Sequence, residues 1–181
     1  MQNQKTVFIG LGSNIGDGLK TLRQAWQAIG EKEGITTVEI SSPYLSEPVG
    51  MESENWFTNC VGKLETSLTA VDLLEAVLEI ESDFGRKRDD DAEGYQDRTL
   101  DLDIIYFGQA VMYGDDLTLP HPCLADRLFV LEPLAEIAGD FRDPLDGMTP
   151  AEKLEQLQRQ MQDGPVSMQE IRQVEWPKEG A

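Results

Sequence analysis

The chain has 181 residues, 40% of them hydrophobic, which is enough for one domain with a sizeable core. Its 34 acidic and 15 basic residues give a net charge of -19 at pH 7, so its surface would repel nucleic acid and anionic membranes. No apolar segment is long enough to span a bilayer, and the two cysteines have no Cys-x-x-Cys spacing. We therefore expect a cytoplasmic protein with reduced thiols that binds neither nucleic acid nor membrane.

The start of the chain predicts a strand, a turn and a helix. Residues 6–11 form a short apolar run that can be buried on both faces, residues 12–18 are glycine-rich, and residues 19–29 have apolar side chains at helical spacing. The glycines fit neither the Gly-x-Gly-x-x-Gly pattern of dinucleotide-binding proteins nor a Walker loop, which requires Gly-Lys-Ser/Thr. We therefore assign them a structural role, a tight turn out of the first strand.

The next predicted elements are a strand over residues 36–42, an irregular loop over residues 43–50 and a strand over residues 55–66. Trp56, Phe57 and Asn59 lie at the start of the last strand. They can pack in the core, or they can form an aromatic wall with an amide that reads a flat heterocycle. From the residues alone, packing in the core is the more common role.

Residues 69–84 predict a helix that Thr69 or Asp72 can cap and that Gly85 can end. Residues 86–97 are highly charged, lack periodicity and contain glycine, which is typical of a mobile surface loop. This loop is either an ordinary solvated connection or a lid that carries arginines onto phosphate groups.

Residues 98–105 alternate apolar and acidic side chains, which predicts a strand with Asp101 and Asp103 on one face. Their carboxylates would lie about 6–7 Å apart. Two like charges on one strand face are unfavourable unless cations lie between them, and Mg²⁺ ions bridged by phosphate oxygens would supply those cations. The alternative is the solvated face of an edge strand. Neighbouring Arg98 favours a phosphate site with its metal.

The next part of the chain predicts a pair of short strands at residues 111–113 and 117–119, followed by a rigid Pro-His-Pro corner at residues 120–122. Residues 127–138 predict a helix or an irregular apolar segment with a proline break. A further helix is predicted to begin at Thr149. From about Gly164 onward the pattern weakens into a polar tail. His121 is the only histidine, which excludes a multi-histidine metal centre. It is either a surface residue or a donor to a phosphate oxygen.

Several motifs stand in the order found in one known family: Phe8-Ile-Gly-Leu-Gly-Ser-Asn-Ile-Gly-Asp17, Tyr44-Leu-Ser-Glu-Pro-Val-Gly50, Phe57-x-Asn59, Leu64-Glu-Thr66, Glu79-Ile-Glu81 with Gly85-Arg86, Arg98-Thr-Leu-Asp-Leu-Asp-Ile104, Leu117-Thr-Leu-Pro-His121-Pro and Arg127-x-Phe129-Val-Leu-x-Pro133-Leu. Together they resemble the 6-hydroxymethyl-7,8-dihydropterin pyrophosphokinases, over roughly residues 5–150. The central strand and the Pro-His-Pro corner are the most specific of these motifs.

The predicted elements suggest a single α+β domain, and the resemblance implies a ferredoxin-like fold, a mainly antiparallel sheet flanked by helices. We place the domain at residues 1–163 and leave residues 164–181 as a polar tail of unknown role. The resemblance implies transfer of pyrophosphate from ATP to the hydroxymethyl group of a reduced pterin, with release of AMP, as a step of folate synthesis. It also implies two Mg²⁺ ions bound with ATP, and we expect a monomer.

The site residues are implied by the same resemblance. Asp101 and Asp103 match the metal ligands, and Arg86 and Arg98 match the catalytic arginines. The ATP contacts are matched by Arg88, Leu117, Thr118, His121 and Arg127. The pterin contacts are matched by Ser46, Glu47, Val49, Phe57, Asn59, Tyr95 and Phe129.

The chain departs from the family just before Arg98, where a basic residue, an aromatic, Gly and Pro are common and residues 94–97 here read Gly-Tyr-Gln-Asp. Asp97 could compete with phosphate for Arg98. Two other functions therefore stay open: a non-catalytic nucleotide-binding or metal-binding relative, and a magnesium-dependent phosphotransferase with another acceptor. Pterin-dependent AMP separates the three, because the binder makes none and an ordinary kinase makes ADP.

Overall fold

The computed structural model describes residues 4–49, 53–86, 97–164 and 166–178. Its strands are β1 (Lys5–Ser13), β2 (Ile35–Ile40), β3 (Tyr44–Ser46), β4 (Phe57–Thr66), β5 (Asp101–Phe107), β6 (Met112–Tyr113), β7 (Thr118–Leu119) and β8 (Ile171–Gln173). Its helices are α1 (Gly18–Gly30), α2 (Ala70–Asp83), α3 (Leu128–Ile137) and α4 (Pro150–Asp163), and a short 3-10 turn (Leu124–Asp126) precedes α3. Within these ranges, no helix has the length and apolar composition needed to cross a membrane.

The centre of the fold is a six-stranded sheet in the order β5-β1-β4-β3-β8, with β2 paired to β4 as well. The five pairings within this sheet are antiparallel. Strands β6 and β7 form a separate hairpin, as the sequence predicted. The prediction of an α+β fold with a mainly antiparallel sheet is therefore confirmed.

Alternation along β1 supplies apolar side chains to both faces of the sheet. Val7, Ile9 and Leu11 pack into one core with α1 and α2, whereas Phe8 packs into a second core with α3 and α4. Because successive side chains of a strand point to opposite faces, a central strand of this kind has to be covered on both sides. The predicted helices on both faces are confirmed.

The ends of the helices follow local sequence signals. The side chains of Thr69 and Asp72 form a capping box at the start of α2, and Gly85 follows the helix with a φ of +82°. Thr149 and Glu152 form the same motif at the start of α4, with a proline in its first turn. These predicted boundaries are confirmed within one or two residues.

Two predicted segments need correction. Tyr44–Ser46, which was expected to be part of an irregular loop, forms β3 and pairs with β4. Three residues are too few for a visible alternation, so tertiary pairing decides the outcome. In α3, Pro133 lies inside the helix and does not break it. The strand expected from residue 98 begins at Asp101.

The segment after α4 adds a strand that the sequence did not predict. Its residues Ile171–Gln173 form β8, which pairs with β3 at the edge of the sheet. Beyond β8, the backbone N–H of Val174 donates to the carbonyl of Pro43, and the indole N–H of Trp176 donates to the carbonyl of Ser41 at 2.9 Å. These contacts attach the described part of this segment to the rest of the fold.

A buried ion cluster joins α4 to the sheet. The ammonium of Lys153 pairs with Asp143 at 3.1 Å and with Asp146, and its side chain is only 8% exposed. The hydroxyl of Tyr106 donates to the same Asp143 carboxylate at 2.8 Å. Burial opposes the charge of Lys153, but the hydrogen bonds to Asp146 and Asp143 raise its pKa above the ordinary value.

We expect Lys153→Ala to lower the free energy of unfolding by about 3 kcal/mol, since it leaves buried Asp143 without its cation. Arg159→Ala, which removes an exposed pair with Glu155 on the same helix, should cost less than about 1 kcal/mol. Denaturant unfolding at pH 7 measures both.

Because the pKa of Lys153 is raised, its contribution to stability should be present below the pKa that it has in the unfolded chain and should disappear as the pH rises through its pKa in the folded protein. Equal losses in the two variants would contradict the assignment.

Candidate active site

The two acids of β5 lie on the face of the sheet opposite Leu100, Leu102 and Ile104, which are buried in the core with α1 and α2. This confirms the predicted alternation. On the neighbouring strand β1, Gly12 stands opposite Asp101 and Gly10 stands opposite Asp103. Both glycines line a cavity above the sheet, where larger side chains would take up its volume. The expected role of these glycines in a turn is therefore wrong, although Gly16 does turn the chain, with a φ of +75°.

Two arginines converge on Asp101. The Nη1 atom of Arg86 lies 2.6 Å from Oδ1 of Asp101, and Nη1 of Arg98 lies 2.8 Å from Oδ2. Each carboxylate oxygen thus accepts a charge-assisted hydrogen bond. Burial opposes the charge of Arg86, but the charges of Asp101 and Glu81 raise its pKa further above neutrality. Both predicted catalytic arginines therefore lie beside the first predicted metal ligand.

The second acid, Asp103, lies beside His121. Its Oδ1 atom lies 3.9 Å from Nε2 of His121. Partial desolvation raises the pKa of Asp103, the charge of Asp101 raises it further, and Arg127 and Arg98 partly oppose this. Burial and Arg127 lower the pKa of His121. A carboxylate with a raised pKa beside a second one is a place where an added cation is stabilising.

The donor set around the two acids fits Mg²⁺ held together with phosphate. Among the described residues, no group of three or more His, Cys, Asp or Glu side chains could hold a metal ion. Asp101 and Asp103 would supply two carboxylates, and phosphate oxygens and water would supply the other ligands. Mg²⁺ favours this arrangement, because it keeps several waters and binds through one or two carboxylates and substrate phosphates.

A cavity of about 280 Å³ lies between the sheet and the start of α3. Phe57 on β4 and Phe129 on α3 line it, and buried Asn59 lies on its floor. The amide nitrogen of Asn59 donates to the hydroxyl of Ser46 at 2.9 Å, which fixes the orientation of the amide. Flat aromatic walls with an oriented amide suit a planar, polar heterocycle. Of the predicted pterin contacts, Glu47 and Val49 also line this cavity.

A second cavity, of about 310 Å³, lies on the other side of the charged residues. Leu117 and Thr118 of the β6–β7 hairpin line it, together with Leu78 of α2. Four residues line both cavities: Arg86, Asp101, Asp103 and His121. The charged group therefore forms the wall that the two cavities share.

The structure brings most of the predicted site residues together. Arg98 and Arg127 line the first cavity beside the four residues that both cavities share. Ser46 does not line the cavity but orients the amide of Asn59, which does. Two predicted residues, Arg88 and Tyr95, lie outside the described residues. The Asp97 carboxylate accepts hydrogen bonds from the side chains of Asn14, Ser53 and Asn55 at 2.6, 2.7 and 2.9 Å.

One residue that supports the site was not predicted as part of it. Glu81 on α2 is 2% exposed, accepts the backbone N–H of Leu102 at 2.7 Å and binds Arg86. It therefore links the helix, the acid-bearing strand and the arginine. The signal in the sequence was an acid four residues after Val77 on the apolar face of a helix, since a buried charge requires a partner.

Comparison with known proteins agrees with this geometry. A model of the family described as 7,8-dihydro-6-hydroxymethylpterin-pyrophosphokinase (HPPK) matches residues 8–139. The chain belongs to this family. As an HPPK, it is a transferase that moves a pyrophosphoryl group from ATP to hydroxymethyldihydropterin in folate biosynthesis.

Individual relatives agree with this family, and a solved structure agrees with the fold. The chain is 42% identical over 130 residues to the 2-amino-4-hydroxy-6-hydroxymethyldihydropteridine pyrophosphokinase of Bacillus subtilis, covering 72% of this chain and 76% of the relative. It is 38% identical over 135 residues to the enzyme of the same name from Haemophilus influenzae, covering 75% and 82%. The fold resembles wild-type Plasmodium falciparum HPPK-DHPS, with a TM-score of 0.74 at 9% identity, covering 96% of this chain and 48% of that one. The chain thus spans about half of that structural neighbour, and this likeness concerns the fold alone.

We expect Glu81→Gln to lower kcat/KM by about tenfold or more, because it replaces a charge-assisted hydrogen bond to Arg86 with a neutral one. The matched control is Glu79→Gln, two residues away on the same helix, where a largely exposed carboxylate pairs only with surface Lys32 among its described contacts. Pterin-dependent AMP formation measures activity, and thermal unfolding checks the fold. Equal activity in the two variants would show that Glu81 does not position Arg86.

Proposed function

We propose that the chain performs its pyrophosphoryl transfer with the nucleotide in the second cavity and the reduced pterin in the first. The observation that carries this proposal is the wall of Arg86, Asp101, Asp103 and His121 that the two cavities share. A nucleotide bound in one cavity can present its phosphates at this wall to a hydroxymethyl group bound in the other. Holding both reactants in this way removes much of the entropic cost of their encounter.

The pterin half of the proposal rests on shape and polarity. Phe57 and Phe129 stack on or wall the ring, while Asn59, oriented by Ser46, reads its polar edge. The backbone around Glu47 and Val49 completes the pocket. Tyr95, which lies outside the described residues, is included as a pterin contact on the family resemblance alone. A site that hydrogen-bonds the edge of a heterocycle rejects analogues that lack the matching groups, because its own buried polar atoms would be left unpaired.

The nucleotide half of the proposal rests on the β6–β7 hairpin and on side chains that can contact phosphate. Leu117 and Thr118 contact the adenine side, and His121, Arg127 and Arg88 contact the phosphates. In the structure Nδ1 of His121 accepts a hydrogen bond from the backbone N–H of Cys123 at 3.3 Å, so a neutral ring carries its proton on Nε2. This Nε2–H group can donate a hydrogen bond to a phosphate oxygen. The overall charge of the chain is -19, so ATP depends on the local arginines for attraction.

Asp101 and Asp103 would hold two Mg²⁺ ions together with ATP. When bound, these ions neutralise phosphate charge and favour in-line attack at phosphorus. The residues of the chain do the remaining work. Arg86 and Arg98, which contact Asp101 in the structure, stabilise charge on the transferred group. The hydroxyl oxygen of the pterin forms a bond to the β-phosphorus, and its proton passes to water. The bond between the β-phosphorus and the oxygen that bridges the α- and β-phosphates breaks, and AMP leaves with this oxygen.

The proposal also includes a monomeric, cytoplasmic enzyme that binds neither nucleic acid nor membrane. The strongly negative charge supports the last two points, because it disfavours polyanionic partners. Two free cysteines, Cys60 and Cys123, agree with a reducing compartment.

We expect the purified chain, incubated with ATP, Mg²⁺ and 6-hydroxymethyl-7,8-dihydropterin, to form AMP only when the pterin is present. Chromatography that separates AMP from ADP measures this. ADP would indicate a simple phosphotransferase. Binding of ATP without any product would indicate a non-catalytic relative.

We expect Asp101→Asn and Asp103→Asn each to lower AMP formation by at least about a hundredfold, since each removes a charge from a carboxylate that would hold metal. Asp140→Asn, at an exposed acid in the turn after α3, changes the net charge equally and should keep full activity. Thermal unfolding of the three variants controls for folding. Full activity in both site variants would exclude the metal assignment.

A further inference from the structure

Gln169, in the segment between α4 and β8, contacts the protein backbone on both sides of Arg127. Its Oε1 atom accepts the backbone N–H of Leu128 at 2.9 Å, and its Nε2 atom donates to the carbonyl of Asp126 at 2.8 Å. A single carboxamide therefore binds the peptide groups that flank one residue. The HPPK family match ends at residue 139, so Gln169 lies 30 positions beyond it.

These two hydrogen bonds act on the start of α3. Arg127 is the N-cap residue of this helix, and no side-chain capping bond from Arg127 itself is present. The first N–H groups of a helix have no partner within the helix, and an N-cap side chain usually satisfies one of them. Gln169 supplies this bond from 41 residues away in the sequence. Gln169 thus caps α3 from a segment that is distant in the sequence.

The start of α3 carries two residues of the site. The guanidinium of Arg127 lies 5.6 Å from the centre of the Phe129 ring, and both side chains line the first cavity. The direction of the first turn of α3 therefore sets where both side chains lie. A rotation of this turn would move a phosphate contact and an aromatic wall together.

The same segment is also fixed to Glu47, another residue that lines the cavity. The backbone N–H of Glu47 donates to the carbonyl of Glu170 at 3.1 Å, and the N–H of Glu170 donates to the Glu47 carboxylate at 2.9 Å. Ser46 pairs with Ile171 in the β3–β8 ladder. Gln169 is thus held by an element that also forms part of the pterin pocket, and its side chain contacts the start of α3.

We propose that Gln169 is a positioning residue, which holds the start of α3 so that Arg127 reaches the phosphates of ATP. This inference rests on the proposed role of Arg127. A residue that only stabilised the fold would lower the unfolding temperature without a specific loss of nucleotide affinity. A positioning residue changes nucleotide affinity in the folded protein, and its effect disappears when Arg127 is absent.

The test is a double-mutant cycle on nucleotide binding. The probe is an ATP analogue with a methylene group between the α- and β-phosphates, titrated with Mg²⁺ into the full chain. We expect Gln169→Ala to weaken binding by about tenfold, because two hydrogen bonds are lost. We expect Arg127→Ala to weaken it at least as much, and the double variant to bind as Arg127→Ala does. The control is Gln173→Ala, at an exposed glutamine of β8 in the same segment.

A second variant keeps the proposal testable if Gln169→Ala does not fold. Gln169→Glu retains an acceptor for Leu128 N–H but loses the donor to the Asp126 carbonyl, so we expect an intermediate loss of affinity. If the losses for Gln169 and Arg127 are additive, or if Gln169→Ala binds like Gln173→Ala, the proposal is wrong while the role of Arg127 stands. If Arg127→Ala itself binds normally, both the role of Arg127 and the proposal are wrong.

Discussion

Repulsion between Asp101 and Asp103 is the constraint on which the rest of the site depends. Alternation along β5 fixes both carboxylates on one face, because the residues between and beside them are buried in the core on the other. Two such charges on one strand face are stable only if cations surround them. Arg86 and Arg98 meet this need at Asp101, whereas at Asp103 desolvation and the charge of Asp101 raise the pKa of the carboxylate and Arg127 and Arg98 oppose this only in part. Mg²⁺ bound together with the nucleotide would supply positive charge between the two carboxylates.

The scaffold gives these groups their positions through a small number of buried polar contacts. Glu81 binds the backbone of β5 and Arg86 at once, so helix, strand and arginine keep one relative placement. Glycines opposite the two acids leave open the cavity floor that larger side chains would fill. The aromatic walls come from β4 and α3, which belong to opposite sides of the cavity. Recognition of the heterocycle thus depends on how α3 is held against the sheet.

Much of the fold follows from short-range signals. The caps predicted at the starts of α2 and α4, the apolar run of β1 and the alternation of β5 are local patterns, and they predicted their elements correctly. Strands β3 and β8 have three residues each, and long-range pairing creates them, so no local pattern reveals them. The same division holds for the site. The acid pair could be predicted from the sequence. The hydrogen bond between Gln169 and the start of α3 could not be predicted, because it joins residues 41 positions apart.

The most direct test of the shared charged wall is the position of the metal in a substrate complex. The chain would be crystallised with Mn²⁺, 6-hydroxymethyl-7,8-dihydropterin and an ATP analogue with a methylene group between its α- and β-phosphates, and anomalous scattering would locate the manganese. We expect manganese bound to both Asp101 and Asp103, with the phosphates of the nucleotide on one side and the pterin hydroxymethyl group on the other. Nucleotide and manganese bound away from these two carboxylates would contradict the account.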